Sequence, residues 1–525
     1  MIILGDISGI QNYLFDVAEE GGGQAQRLRA RSFFVQLVAE TVALRIRRAL
    51  GWPLDSIRLS GASKFLLHGT GPPEVEKCLA REQKVIDEWL LRETRAELRL
   101  TLAWAGSASE VASYNEAQGH LQRAKARPWA PVQGGGWESS CFLLAPLDTP
   151  CSLCGHAPAG EDETDRDTGQ TRRVCRTCAS FRRLGQRLPR ANWLVIRDTP
   201  QSADFELFGL GVDVTNEVQV SVGSETLAVA NLHEPDTRPA WCPQDRFLRR
   251  RLMAHVPTDD DGCPVWFTEL ASQAQGDRLL AVLKADADSL GVRFHNLLNT
   301  GGLEAMARFS EQLDAFFADR LKQEIANNCD VRRQSIYTIF AGGDDLVMVG
   351  PWDVMVEFAG QMREWFTAEF RSHGLTLSAS VALVKPKRPI KSAVAEAERL
   401  LELAKTGTKD QFAAFGQVWN WRHHDAIMKT ARELVEWVNC RDMERGWLRT
   451  LLELAEARHG PTPDPLASAR LAYHVSRNYR QNTRARQWAE RLVARFDNSE
   501  HNDVRYLPAI VRYALTATRT RGEEE

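Results

Sequence analysis

One order of elements, strand, helix, strand, strand, helix, strand, occurs twice along this chain, and that repetition limits its fold more than any other feature. In the first copy Ile2 to Gly5 reads as a short apolar strand, and Arg27 to Leu50 carries Phe34, Val38, Val42 and Ile46 at helical spacing. Ile57 to Ser60 and Lys64 to His68 read as strands around the turn Gly61-Ala62-Ser63. A second helix is expected over Pro73 to Leu91, and Leu98, Leu100, Leu102 and Trp104 alternate as a strand. After residue 278 the order returns. Leu279 to Ala285 is an apolar strand running into Asp286, and Met306, Phe309, Leu313, Phe316 and Leu321 mark a helix. Ser335 to Phe340 and Leu346 to Val349 flank the turn Ala341-Gly342-Gly343-Asp344-Asp345. A helix through Met355, Phe358, Met362 and Trp365 and an alternating strand from Leu375 to Leu383 close the second copy.

Each copy is a βαββαβ unit, the ferredoxin-like or palm arrangement. The repeat lies in element order, not in sequence identity, so chance ordering is the plain alternative. The expected fold class is α+β. Two palm units are placed at 1–145 and 276–420, with a zinc-ribbon-like insertion at 146–190 and a mixed linking region at 191–275. A helical bundle is placed at 421–525, with helices expected at Ala426 to Val438, Trp447 to Ala455, Leu466 to Tyr479, Ala489 to Phe496 and Val504 to Leu515.

The chemistry concentrates in the second unit. Two glycines allow a tight turn between apolar strands, and two adjacent carboxylates follow them. Adjacent carboxylates repel, which a solvated hairpin tolerates but a divalent cation relieves, because hard oxygen ligands suit magnesium or manganese. Strands one and three of a ferredoxin-like sheet are neighbours, so Asp286 at the end of strand one falls beside Asp344 and Asp345. Asp288 is a weaker fourth candidate. Two metals held there would activate a ribose 3′-hydroxyl for attack on a nucleoside triphosphate α-phosphate, with pyrophosphate leaving.

The first unit's turn has no carboxylate, so it should hold no metal. Its first strand ends in Gly5-Asp6-Ile7-Ser8-Gly9, parallel to Asp286-Ala287-Asp288-Ser289. Ser8 and Gly9 offer a hydroxyl and an open backbone to a nucleotide, or form an ordinary serine-capped turn.

Cys151-Ser152-Leu153-Cys154 and Cys175-Arg176-Thr177-Cys178 fit one structural, four-thiolate zinc site. The acidic stretch Gly160 to Gly169 between them is expected to be a solvated, mobile loop. The other six of the ten cysteines are scattered and read as small buried hydrophobes in a reducing cytoplasm. Met1 to Phe15 lacks an export signal's basic-then-apolar pattern, and no apolar run is long enough to span a membrane. A formal net charge of -3 gives no global sign of nucleic-acid binding. Local patches must carry it, and Arg470, Arg477, Arg480, Arg484, Arg486, Arg491, Arg495, Arg505 and Arg512 crowd the last helices with Tyr473, Tyr479, Trp488 and Tyr506. They suit an RNA backbone, an acidic partner or a solvated face.

The ordered set Gly5-Asp6-Ile7-Ser8-Gly9-Ile10-Gln11, Leu28-Arg29-Ala30-Arg31-Ser32-Phe33, the paired cysteines, Asp286-Ala287-Asp288-Ser289-Leu290-Gly291 and Gly342-Gly343-Asp344-Asp345 resembles the large subunit of type III CRISPR effector complexes, nearest the Csm-type branch. The resemblance implies two facing palms with two ATP molecules between them, and a product of cyclic oligoadenylate made when guide and target RNA are bound. It implies Asp344 and Asp345 as turn acids, Asp286 as strand acid and Ser8 as a nucleotide contact. Lys405, ending the helix Ser392 to Lys405, is a candidate triphosphate contact and equally a surface lysine. Implied partners are the small and backbone subunits, CRISPR RNA and target RNA.

The chain departs from the family at Ala30 and at Gly61-Ala62-Ser63, where glycine is commoner. The first palm begins at Met1, so the histidine-aspartate nuclease domain of many relatives is not expected, nor is DNA cleavage. The pair His424-Asp425 reads as helix-start chemistry. Two other functions compete: a silent scaffold in the same complex, and a stand-alone nucleotide cyclase.

Overall fold

The computed structural model describes residues 1–15, 23–61, 63–71, 74–129, 148–164, 169–201, 203–327, 330–343, 345–459, 463–478, 483–498 and 500–519. β1 (Ile2–Ser8), β2 (Ile57–Gly61), β3 (Lys64–His68) and β4 (Arg99–Ala105) form an antiparallel sheet in the order β2-β3-β1-β4. The helices Gln24–Ala49 and Val75–Thr94 supply the two crossovers. A further helix, Glu110–Lys125, follows β4.

β5 (Glu161–Thr164) and β6 (Thr171–Val174) pair as a hairpin where a mobile loop was expected, with residues 165–168 outside the described set. The reason is charge. Glu163 is held by Arg27 and, at 3.0 Å, by Arg182, which anchors the acidic strand to two helices. The linking region also has more order than its sequence advertises. β7 (Trp193–Arg197), β8 (Phe205–Leu207), β9 (Leu210–Thr215) and β10 (Thr226–Asn231) make a second antiparallel sheet, β10-β7-β9-β8, over Val195, Val220, Val229, Cys242 and Phe247.

The third sheet combines β11 (Leu280–Ala287), β12 (Tyr337–Gly342), β13 (Asp345–Pro351), β14 (Leu377–Val384), β15 (Gln411–Ala414) and β16 (Gln417–Asn420) in the order β12-β13-β11-β14-β15-β16. Its first four strands repeat the order of the first sheet, and β15 and β16 extend it. The two faces of β11 serve different cores, as a period of two dictates. Leu280 and Val282 join the core of the first unit and the helix Ile390–Lys405. Ala281, Leu283 and Ala285 join the helix Trp352–Glu369 and the C-terminal bundle.

That bundle comprises His424–Asn439, Arg445–His459, Ala467–Asn478, Arg484–Arg495 and Leu507–Ala517. Two bounds differ from expectation for local reasons. The fourth helix starts at Arg484 because the Thr483 hydroxyl accepts the Arg486 N–H at 3.3 Å and caps it. The last expected helix divides into Asn502–Arg505 and Leu507–Ala517, with Pro508 in the first turn of the second piece, where no N–H is needed. No helix among the described residues is long and apolar enough to cross a membrane.

Candidate active site

The pairing of β11 with β13 puts Asp286 directly opposite Asp345. Opposed residues of an antiparallel pair share a face, with Cα atoms about 5 Å apart. Gly342 pairs with Asp345 across the adjoining hairpin, and Gly343 carries φ +63°, a conformation that side chains resist. Asp344 lies outside the described residues. The turn therefore delivers Asp345 to the sheet position beside Asp286.

Both acids are partly exposed, and each is offset by a lysine. Lys405 Nζ lies 2.7 Å from Asp286 Oδ2. Lys284 Nζ lies 3.8 Å from Asp345 Oδ2 and also pairs with Glu398. Lys284 is only 2% exposed, and burial pulls its ammonium below the ordinary lysine range while Asp345 and Asp286 hold it up. Two carboxylates at opposed positions, each drawing an ammonium, are a donor set suited to a hard divalent cation.

A cavity of about 1000 Å³ opens beside these strands, between the two units. Asp6, Gly9, Lys64 and Lys125 line it from one side, and Gly342, Gly343 and Asp345 from the other. Asp286 is not in the lining itself and reaches the site through its pairing with Asp345, and three other sequence candidates take other places. Ser8 does not line the cavity, and its hydroxyl faces the Arg99 carbonyl at 3.5 Å on β4. Lys405 is likewise absent from the lining and sits on Asp286. Asp288 is 4% exposed, and both its oxygens accept protein donors: Ser378 Oγ at 2.8 Å, Thr376 Oγ1 at 2.8 Å and the Asp410 N–H at 3.1 Å. That carboxylate brackets strand ends, with three protein donors already on its oxygens.

The first unit carries the same plan without the acid pair. Asp6 stands opposite Lys64, as Asp286 stands opposite Asp345. Asp6 pairs with Lys125 at 2.8 Å, at the end of the helix after β4, as Asp286 pairs with Lys405 at the end of the helix after β14. Gly9 and Ser289 both turn with positive φ at the exit of the first strand. These matched details argue for duplication over chance.

The four paired cysteines Cys151, Cys154, Cys175 and Cys178 bring their sulfurs within 4.8 Å of one another. Cys154 Sγ and Cys175 Sγ are 3.9 Å apart, near the roughly 3.8 Å edge of a tetrahedron with 2.3 Å metal–sulfur bonds. The Cys178 N–H donates to Cys175 Sγ and the Leu153 N–H to Cys151 Sγ. Of the scattered cysteines, Cys242 is buried but Cys440 is exposed, while Cys141 and Cys329 fall outside the described residues.

His424 is buried, and burial pushes its ring down to about 4. Its Nδ1 accepts the Trp419 indole N–H at 3.3 Å, so it serves packing. Several bundle arginines have partners at home: Arg470 with Asp464, Arg486 with Glu490, Arg512 with Glu456 and Phe415, and Arg477 with Tyr473. Arg480 and Tyr479 lie outside the described residues.

Sequence reasoning missed Lys284 and Glu398. A lysine inside the otherwise apolar Leu280–Ala287 was the available signal, since a buried charge demands a partner. Glu398 gave none, for it is one of several acids on an exposed helix face.

Residues 279–413 match the family model described as Cas10/Cmr2, second palm domain, and residues 1–130 match Csm1 subunit domain B. The chain is 25% identical over 505 residues to the CRISPR system single-strand-specific deoxyribonuclease Cas10/Csm1 (subtype III-A) of Thermococcus onnurineus, covering 87% of this chain and 62% of that protein. It is 24% identical to the protein so described from Mycobacterium tuberculosis, covering 99% of this chain and 67% of the relative. The chain thus spans about three fifths to two thirds of the length of these relatives. Among solved structures, the apo Csm1-Csm4 cassette superposes with a TM-score of 0.76 at 20% identity, over 99% of this chain and 70% of that one. The cassette in complex with one ATP superposes with a TM-score of 0.74 at 20% identity and the same coverage.

Proposed function

Because the chain is a relative of the Cas10/Csm1 large subunits of type III CRISPR complexes, we propose that it is a metal-dependent nucleotidyltransferase converting ATP to cyclic oligoadenylate. The single observation that carries this reading is the placement of Asp286 opposite Asp345, the member of the pair that lines a cavity large enough for nucleotides. Solved relatives are described in complex with one ATP and with cA4, and the same ligand class is assigned here.

In this reading Asp286, Asp344 and Asp345 hold two magnesium or manganese ions. Those ions supply Lewis acidity that lowers the pKa of the attacking hydroxyl and screens charge on the leaving oxygen. The chain's own groups do the rest. Gly342 and Gly343 present backbone without side chains, so a phosphate approaches the turn closely. Gly9 lines the cavity from the first unit, and its missing Cβ makes room for the Glu97 carbonyl. Lys405 pairs with Asp286 in this structure, and with cations held there its ammonium would be available to the triphosphate. Lys284 and Glu398 keep the acid pair oriented from beneath. The cavity's position between two units brings an acceptor and a donor nucleotide together, which favours in-line attack through proximity.

The four cysteines hold one structural zinc. The segments 1–145, 146–190, 191–275, 276–420 and 421–525 act as first palm, zinc segment, linking domain, second palm and bundle. Partners in this reading are the other type III subunits, CRISPR RNA and target RNA, in the cytoplasm. The relatives' description includes a deoxyribonuclease activity, which we assign to none of the described residues.

The test is mass spectrometry of products from ATP and Mg²⁺, using the complex assembled with guide and target RNA. Wild type should give oligoadenylates, and Asp344→Ala with Asp345→Ala should give none while assembling normally. Product from the double variant, or ATP left intact by the wild type, overturns the reading. In the second case the chain is a scaffold.

A further inference from the structure

The helix Leu290–Asp314 ends where the turns of the two units meet. Asp314 Oδ1 accepts the backbone N–H of Gly343 at 3.2 Å. The same carboxylate packs against Gly61, the last residue of β2 in the first unit. A Cβ on Gly61 would stand 2.9 Å from Asp314 Oδ2, closer than real Cβ contacts come. One side chain therefore touches both hairpins, and a Cβ at residue 61 would push that carboxylate aside.

Two further features fix the carboxylate there. The helix does not continue regularly past Asp314, for Ala315–Arg320 is a π-helical turn. Such turns are rare and recur at functional places. This one lets the consecutive residues Phe316 and Phe317 both enter the core, and so locks the rotation of the helix end. The second feature is a buried polar network on the first-unit side. Glu40 is 2% exposed, and its Oε1 accepts Ser60 Oγ and, at 2.8 Å, Arg250 Nε. Asp314, Glu40, Ser60 and Arg250 line a second cavity of about 750 Å³, which shares Gly61 and Gly342 with the larger one.

We propose that Asp314 is a positioning residue that sets the Gly342–Gly343 turn through the Gly343 N–H and braces it against the first unit's hairpin at Gly61. Asp314 does not line the larger cavity, so it acts through the turn and not on a nucleotide. The oxygen acceptor that Asp314 offers the Gly343 N–H fixes the residue that precedes Asp344 and Asp345. The activity arm of the test rests on the proposed nucleotidyl transfer. The structural arm does not.

The structural arm is amide hydrogen exchange on the full chain, read on peptides spanning 340–347. Asp314→Ala should speed exchange at Gly343 about tenfold, while Asp314→Asn, which keeps an oxygen acceptor, stays near wild type. Peptides from His424–Asn439 report whether the fold persists. If Asp314→Ala fails to fold, Gly61→Ala displaces the same carboxylate and should give the same signature. In the activity arm, Asp314→Ala should lower kcat about tenfold with KM for ATP nearly unchanged, and Asp314→Asn should restore most of it. Unchanged exchange at Gly343 in both Asp314→Ala and Gly61→Ala overturns the proposal, as does a KM effect without a kcat effect. A wild type that never consumes ATP sinks the functional reading alone, and the exchange result still decides the role of Asp314.

Discussion

Replacing Lys405 with methionine should make the free protein a better binder of divalent cations and a poorer user of ATP. Lys405 Nζ sits 2.7 Å from Asp286 Oδ2, with the two side chains 33% and 23% exposed. A pair this exposed is worth about 1 kcal/mol at most after solvent screening. A cation that takes Asp286 must displace that contact. Removing the lysine should therefore raise Mn²⁺ affinity by up to about fivefold in the absence of nucleotide. With nucleotide present the sign reverses. The ammonium freed from Asp286 then has triphosphate oxygens to meet, and losing one charge-assisted contact should raise KM for ATP about tenfold. The assay is a titration of free Mn²⁺ by electron paramagnetic resonance, with and without a non-hydrolysable ATP analogue, on wild type and Lys405→Met. Weaker or unchanged Mn²⁺ binding in the nucleotide-free variant would refute the claim that lysine and cation compete for Asp286.

Three other outcomes are expected. Asp87 is fully buried, and burial pushes its carboxyl up to about 6 against partial relief from Arg99. Its folded value lies above the unfolded one, so ionisation opposes folding: the cost is absent below about pH 4 and complete above about pH 6, at roughly 3 kcal/mol. Asp87→Asn should thus raise the Tm at pH 8 and not at pH 4, and an equal gain at both would exclude burial as the cause. Cys175→Ser should drop zinc, measured by atomic absorption, from about one equivalent to near zero and destabilise the hairpin Glu161–Val174 to proteolysis. Asp288→Ala should cost about 3 kcal/mol in denaturant unfolding by stranding Ser378, Thr376 and the Asp410 N–H. Its Mn²⁺ affinity should stay within about threefold of wild type. A large loss of Mn²⁺ binding would make Asp288 a ligand.

Most of the sheet plan was legible because periodicity and turn chemistry are local. Alternation in Leu375 to Leu383 and the paired glycines at 342 and 343 sufficed to place β14 and the turn, and neighbouring strands one and three then followed from the βαββαβ order. The four cysteines were legible from spacing alone. What stayed hidden depends on contacts between distant segments. The sheet in residues 193–231 was obscured by short strands with mixed polarity, and only its shared core identifies it. The hairpin at Glu161–Thr164 looked too acidic to be ordered until Arg27 and Arg182 supplied the opposite charge. Ser8 and Lys405 have the right residue types for a nucleotide contact, and in this structure their partners are the Arg99 carbonyl and Asp286, pairings that no pattern in the sequence announces. Asp314 is invisible to motif reading because its meaning comes from Gly61 and Gly343, which lie far from it in the chain and close in space.

The most direct test of the central claim is anomalous diffraction at the manganese edge from crystals grown with Mn²⁺ and a non-hydrolysable ATP analogue. The account predicts a peak between the Asp286 and Asp345 carboxylates, about 2.1 Å from an oxygen of each, with Lys405 swung off Asp286. Peaks only elsewhere, with Lys405 still seated on Asp286, would contradict it.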